Sequence, residues 1–340
     1  MKMRFRVCRS AAAAPLVRGP PPTRSTARIS GFGVNADHTE CPFPMKFTNE
    51  KKSPICVEGR GENEDVVTVN DRSAWVLDGG TGLGDVNVTP AATDAKWYVD
   101  RFDAYLRDRI HDREQSLREI VRDGIDRVST EYVDQCGEER VPSGDLPTAT
   151  CAIVRLEEAA DPRLNVFVLG DCTATLSGAH QPTEMVHDDR LHRFDREAAT
   201  KLQSRVRDGM SFGEARRAIL PILRENRRQR NNRQQRSDDT YWVLGMKPTA
   251  AEHGYAREFE VVEDRIVTGF TDGFRRLVDT YELFPRWLEA LSFLERTDLQ
   301  VGVDAIRSVE ESDPDCSTYP RLKPRDDVAA FQLRVTPWDG

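Results

Sequence analysis

The chain has 340 residues, of which 38% are hydrophobic and 31% are charged, and its formal net charge is −8. This length and apolar content suffice for one large domain or two ordinary ones. The net acidity argues against general binding to nucleic acids or to anionic membranes. No apolar run approaches the roughly 18 residues that a membrane-spanning helix needs.

The N-terminal segment differs from the rest of the chain in composition. Residues 1–44 contain seven basic and two acidic residues, are rich in Ala, Pro, Ser and Thr, and show no sustained hydrophobic period. Such a composition is typical of disorder. We therefore predict a disordered basic extension at 1–45 and a single domain at 46–340. Two other interpretations stay open: Met45 as the true start, and a targeting peptide, because residues 1–30 contain no acid.

The cysteines indicate a reducing environment. Seven are scattered along the chain, no pair has C-x-x-C spacing, and the histidines add no zinc-binding pattern. Because the number is odd and the chain is long, no disulfide framework is expected, and we predict a cytoplasmic location.

Apolar runs and helical periodicity predict the elements of the first half. Two amphipathic helices are expected between about Thr93 and Gln135, where apolar residues recur at helical spacing. Short apolar or β-branched runs predict four strands, the last as the return arm of a hairpin: Ala74–Leu77, Thr150–Arg155, Val166–Leu169 and Ala174–Leu176.

The second half is predicted to mix helices with strands. The segment 195–236 is expected to be helical in pieces, with a capping box at Ser211 and Glu214 and a kink or break at Pro221. Further helices are predicted at 281–295 and 299–309, and strands at 265–270 and 328–335. Because there is no internal repeat and no strict βαβ alternation, the sequence predicts an α+β fold of mostly antiparallel sheet covered by helices.

Carboxylates stand at the ends of the predicted strands. Four apolar runs end or begin at Asp78, Asp171, Asp272 and Asp326, and glycine adjoins the first three. Each aspartate by itself could be a turn residue or a helix cap. Several converging carboxylates, however, would repel one another at a cost of several kcal/mol each unless cations balance them. Mg²⁺ and Mn²⁺ prefer oxygen ligands, so the set predicts a divalent metal centre.

Five short motifs follow one another in a recognisable order. They are Arg60-x-x-x-Glu64-Asp65, Val76-Leu77-Asp78-Gly79-Gly80-Thr81-Gly82, Gly170-Asp171-Cys172, Thr271-Asp272-Gly273 and Asp326-Asp327. Their order and spacing, from about residue 45 to the C-terminus, resemble the protein phosphatase 2C family of metal-dependent Ser/Thr phosphatases, in its bacterial and archaeal subgroup. The resemblance implies two packed antiparallel β-sheets flanked by α-helices on both outer faces, an α-β-β-α sandwich.

The resemblance also implies a set of metal ligands. Asp78 would bridge two ions, which would be Mn²⁺ or Mg²⁺. Asp272 and Asp326 would complete one site, and Glu64 with the Gly79 carbonyl would complete the other.

Further roles follow from the same resemblance. Asp65 would orient metal-bound water, and Arg60 would bind the phosphate. Asp171 would hold a third, weaker metal ion, with Asp145 as an additional candidate ligand. A hydroxide shared by the two ions would hydrolyse phosphoserine or phosphothreonine in a phosphoprotein, or another phosphoester, without a covalent phosphoenzyme.

The chain departs from this family pattern in two places. Gly80 stands where many members have a histidine after Asp-Gly, which leaves the general acid open. Residues 179–262 match poorly, apart from an arginine-rich helix and the strand-like run Tyr241-Trp242-Val243. Substrate selection is expected there or near 138–145.

Three alternatives compete with a phosphatase. The chain could be an inactive, phosphatase-like binding module. The run from Asp78 to Gly84 also resembles a phosphate loop of actin-like kinases and ATPases, but the second such loop is missing from the sequence. The arginines between 216 and 236 invite a nucleic-acid interpretation; pairing with the chain's own carboxylates is favoured, since no aromatics are interleaved, and phosphopeptide docking stays open.

Overall fold

Antiparallel pairing joins all the strands of the part that the structure describes, and one isolated bridge, between Arg230 and Tyr241, is parallel. The computed structural model describes residues 45–48, 53–80, 82–84, 86–137, 141–157, 162–178, 182–232, 240–261 and 264–337. The predictions about residues 1–44 and about Arg233–Arg236 lie outside these ranges, and the domain boundary stays a prediction.

Eleven strands occur within these ranges, in two sheets. They are β1 (Met45–Thr48), β2 (Ile55–Val57), β3 (Asp65–Val69), β4 (Ser73–Gly80), β5 (Thr148–Glu157), β6 (Arg163–Leu169), β7 (Thr173–Gly178), β8 (Glu184–Val186), β9 (Tyr255–Glu260), β10 (Arg265–Phe270) and β11 (Val328–Pro337). One sheet has the order β1-β11-β10-β7-β8, with β2 also paired to β11, and the other has the order β3-β4-β5-β6-β9.

Seven α-helices and a short 3-10 helix at Pro248–His253 are described. The α-helices are α1 (Asp94–Arg109), α2 (Leu117–Cys136), α3 (Asp189–Arg207), α4 (Phe212–Arg228), α5 (Asp272–Asp279), α6 (Trp287–Arg296) and α7 (Leu299–Ser312). The predicted capping box at the start of α4 is confirmed, because Ser211 and Glu214 each bond the other's backbone N–H.

The helices differ from the predictions in three respects. Helix α4 runs through Pro221 without a break; this proline is exposed, so the loss of one backbone hydrogen bond falls on the solvent side. Helix α5 was not predicted, because only the apolar run before Asp272-Gly273 was assigned, as a strand. The helix predicted from Tyr281 begins only at Trp287.

Side-chain alternation on the strands separates three apolar layers. On β4, Trp75 and Leu77 pack toward α1 and α2, whereas Ala74 and Val76 pack between the two sheets. A third cluster, which includes Phe270 of β10, joins α5–α7 to the outer face of the first sheet. Helices α3 and α4 form a separate apolar cluster together with Leu83 and Leu322. Period-two burial thus gives each sheet one face for its helices and one for the other sheet.

The predicted fold class is confirmed by this arrangement. Two antiparallel sheets pack face to face, and helices cover both outer faces. No helix in the described ranges combines the length and the apolar character needed to cross a membrane.

Candidate functional site

One end of the two sheets collects the acidic residues of the sequence motifs. Asp65 begins β3 and lies directly opposite Asp78 of β4, which on its other side faces Thr150 of β5. Asp171 lies between β6 and β7, and Asp272 follows β10 as the first residue of α5. Antiparallel pairing of β7, β10 and β11 at this end brings these chain segments together although they are far apart in sequence.

A cavity of about 500 Å³ opens at this end of the sheets. Its lining includes Asp78, Gly79, Asp171, Asp272 and Asp326, five of the residues that the motifs single out. The other walls come mainly from α3, α4, α5 and the segment 320–323. The acids therefore lie within reach of a ligand of moderate size.

Burial and the charges of neighbouring carboxylates raise the pKa values of three cavity aspartates. Burial is the largest cause of the raised pKa of Asp78, followed by the charges of Asp65, Asp272 and Asp171. Burial and Asp272 likewise raise the pKa of Asp171. For Asp272, burial and Asp326 raise the pKa, although the charges of Arg276 and Lys323 and a hydrogen bond with Asp78 oppose them. Such mutual repulsion is what a bound cation would relieve.

Asp326 behaves differently because it already has two basic partners. Its Oδ1 accepts a hydrogen bond from Lys323 Nζ at 2.9 Å, and its Oδ2 accepts one from Arg276. Burial alone would raise its pKa, but Lys323 and Arg276 outweigh burial and lower the pKa to about 2.

Glu64 and Asp65 lie behind the cavity lining and are held by hydroxyl groups. Thr93, the N-cap of α1, donates to Glu64 Oε1 at 2.6 Å. Thr271 donates to Asp65 Oδ2 at 2.8 Å. The loop before β3 is fastened to the opposite sheet by Asp327, whose carboxylate accepts the backbone N–H groups of Glu64 at 2.9 Å and of Gly59 at 2.7 Å.

Two further candidates, besides Glu64 and Asp65, are not among the residues that line the cavity. Arg60 is exposed and makes no hydrogen bond or ion pair within the described ranges. Asp145 accepts the Gly84 backbone N–H at 2.6 Å, and its contacts order the glycine loop. Neither residue lines the cavity.

Sequence reasoning missed several cavity residues. Asp195 of α3 lines the cavity, and burial and then Asp272 raise its pKa to about 7. The available signal was an acid on the same helical face as Leu191 and Ala199, at i, i+4 and i+8. Lys323 and Arg276 gave no comparable signal, because their role depends on contacts with Asp326 across the fold.

The donor set fits a hard divalent cation at part of this site. Among the described residues, no three Asp, Glu, His or Cys side chains form a ready-made metal site. Asp78, Asp171 and Asp272 nonetheless offer oxygen donors and raised pKa values caused by burial and mutual repulsion. Asp326 fits less well, because Lys323 and Arg276 hold its two oxygens.

Asp195→Asn is expected to stabilise the metal-free protein more at pH 8 than at pH 5. The raised pKa of about 7, against an ordinary 3.8, means that stability fully present below pH 3.8 is lost as the pH rises from 3.8 through 7. At about 1.4 kcal/mol per pH unit, the gain in unfolding free energy should be roughly 2–3 kcal/mol larger at pH 8 than at pH 5. Urea denaturation in EDTA at both pH values measures this, and an equal effect at both would contradict the buried-charge explanation.

The chain has structural similarity to bacterial phosphatases at low sequence identity. No protein-family model matches it, and no curated protein sequence matches it. The Mycobacterium tuberculosis serine/threonine phosphatase PstP/Ppp is similar with a TM-score of 0.49 and 12% identity, covering 85% of this chain and 99% of that one.

Two further solved structures show the same level of similarity. The PstP catalytic domain in complex with two manganese ions has a TM-score of 0.47 and 14% identity, covering 86% of this chain and 100% of that one. Pseudomonas aeruginosa PppA, described as a regulatory component of T6SS, has a TM-score of 0.48 and 14% identity, with the same coverage. At TM-scores below 0.5 these likenesses carry no weight for activity, which has to be inferred from the chain's own residues.

Proposed function

We propose that this protein is a metal-dependent phosphoester hydrolase that dephosphorylates phosphoserine and phosphothreonine in proteins. The observation that carries the proposal is the meeting of Asp78, Asp171 and Asp272 in one cavity, where burial and mutual repulsion raise their pKa values. Carboxylates kept together at such a cost are typical of a site that binds cations.

The proposed ligands are the cavity carboxylates together with groups just behind them. Asp78 would be shared between two Mn²⁺ or Mg²⁺ ions, with Asp272 on one side and the Gly79 carbonyl and Glu64 on the other. Asp326 would join Asp272 once Lys323 has moved away from it. The bound ions would lower the pKa of water and so supply hydroxide near neutral pH.

The remaining residues would orient water and substrate. Asp65, fixed by Thr271, would accept hydrogen bonds from water behind Asp78. Asp171 would hold a third ion, and Arg60 would bind phosphate from the loop that Asp327 fastens at Gly59. His192 lines the cavity, but burial and Arg275 lower its pKa, so the imidazole is neutral at pH 7 and is a poor general acid.

The proposal is tested by hydrolysis of p-nitrophenyl phosphate and of a phosphothreonine peptide with Mn²⁺, with Mg²⁺ and with EDTA. We expect turnover with Mn²⁺ or Mg²⁺ that EDTA abolishes, because the hydroxide depends on the ions. Preference for the peptide would support a protein phosphatase. Absence of turnover with either metal, in a protein that unfolds cooperatively, would overturn the enzyme assignment.

A second candidate is a phosphate-binding module without catalysis. It is favoured by the engagement of both Asp326 oxygens with Lys323 and Arg276, which opposes metal binding at that ligand. This candidate predicts that phosphopeptides bind in EDTA and are not hydrolysed when Mn²⁺ is added.

A further inference from the structure

The arginines of α4 divide between two faces of the helix. Arg216 and Arg227 line the cavity together with Leu223. Residues seven and eleven positions apart share one helical face, so these three side chains form a single row. Arg217 and Arg224 do not line the cavity and are exposed. The helix therefore presents only some of its arginines to the site.

The cavity-facing arginines include two that have only neutral partners. Arg216 donates Nη1 to the Leu322 carbonyl at 2.8 Å. Arg230, just after α4, donates to Thr148 Oγ1 at 3.1 Å and to the Ser143 carbonyl at 2.8 Å. Neither makes an ion pair with any residue in the described ranges, whereas Arg276 and Lys323 in the same cavity are both paired with Asp326.

Burial and the charge of Arg227 both act on the pKa values of these two arginines. Burial first, and then the charge of Arg227, lower the pKa of Arg230 to about 10. Burial also lowers the pKa of Arg216, an effect that Asp326 opposes and Arg227 reinforces. A bound anion would relieve both the burial and the repulsion of these guanidinium groups.

Strand β5 contacts both Asp78 and Arg230, and so relates the position of this arginine to that of the acid. Thr150 lies opposite Asp78, and Thr148, which holds Arg230, lies opposite Gly80. Two residues along a strand span about 7 Å. An extended peptide places the side chains of residues i and i+2 on one face at about the same spacing of 7 Å.

We infer that Arg216, Arg227 and Arg230 form a second anion subsite, which binds a phosphoryl group two residues from the one that is hydrolysed. Guanidinium groups suit this ligand because they donate paired hydrogen bonds to phosphate oxygens. The substrate class is then a doubly phosphorylated, extended segment with one residue between its phosphorylated Ser or Thr residues. The inference rests on the proposed function for the identity of the first phosphoryl site.

Fluorescence anisotropy in Mn²⁺ of labelled peptides that carry non-hydrolysable phosphonate analogues of phosphothreonine tests the subsite without turnover. The probes are a peptide with one phosphonate, the same peptide with phosphonates at i and i+2, and one with two widely separated phosphonates. We expect the i, i+2 peptide to bind at least about tenfold more tightly than the other two. Arg216→Gln should remove most of that advantage, and the matched control Arg224→Gln on the exposed face should keep it.

Three outcomes would overturn the inference. The first is equal binding of the three peptides, and the second is an advantage that survives both in Arg216→Gln and in Arg230→Lys. The third is tighter binding of ADP than of any peptide, which would favour a diphosphate ligand. Because these measurements need no hydrolysis, an inactive protein that still prefers the i, i+2 peptide would refute the proposed activity and retain the subsite.

Discussion

Asp78→Asn is expected to abolish metal-dependent phosphoester hydrolysis while stabilising the metal-free fold. Asp78 is the central carboxylate of the cavity, and Asp65, Asp171 and Asp272 all act on its pKa. Loss of such an electrostatic group should lower kcat/KM by about 10²–10³-fold or more. Turnover of a phosphothreonine peptide with Mn²⁺ measures this effect.

The stability of the same variant separates a catalytic role from misfolding. Because the pKa of Asp78 is raised in the fold, mainly by burial, its ionised form costs stability at neutral pH. The neutral amide removes that cost, so the melting temperature in EDTA should rise. Asp304→Asn, an exposed position on α7, is the control and should change neither activity nor stability. Activity within threefold of wild type, a margin set by ordinary kinetic scatter, would remove Asp78 from the proposed centre.

Arg276→Met is expected to cost about 1.5–3 kcal/mol of unfolding free energy, because it removes one partner from each of two buried carboxylates. Asp326 keeps Lys323, and Glu310 keeps Arg307 at 2.7 Å. Arg276 is 7% exposed; its Nη1 lies 3.3 Å from Glu310 Oε1 and its Nη2 donates to Asp326. Urea denaturation in EDTA at pH 7 measures the loss.

An exposed arginine provides the matched control for this variant. Arg286 has a side chain that is 74% exposed and pairs with Glu289, so Arg286→Met should cost less than about 1 kcal/mol. A similarly small loss for Arg276→Met would show that Asp326 and Glu310 do not depend on the guanidinium.

The pairing of Asp326 with Arg276 and Lys323 predicts the direction in which folding stability changes with pH. The pKa of Asp326 falls from an ordinary 3.8 to about 2 because Lys323 and Arg276 outweigh burial. Its contribution to stability is therefore present above pH 4 and is lost as the pH falls toward 2. In Arg276→Met the loss of stability between pH 5 and pH 2 should therefore be smaller than in the wild type. Urea denaturation across this pH range measures the difference.

Local sequence patterns identified the strands and helices that show a hydrophobic periodicity or a capping residue at their ends. The alternation of Ala74, Trp75, Val76 and Leu77 reflects a strand with helices on one face and a second sheet on the other, and that is where the side chains lie. Helices α1 and α2 followed from their apolar spacing. Short elements were missed, since strands of three or four residues such as β2 and β8 are too short to show a period.

The sequence by itself determined the α+β class, the positions of the main strands and the placing of aspartates at strand ends. Only the tertiary structure decided which charges meet: that Asp326 is held by Lys323 and Arg276, and that Arg216 faces the cavity while Arg217 does not. The physical reason is the distance along the sequence over which each kind of interaction acts. Burial periodicity acts between neighbours a few residues apart, whereas strand pairing joins segments as distant as β2 and β11.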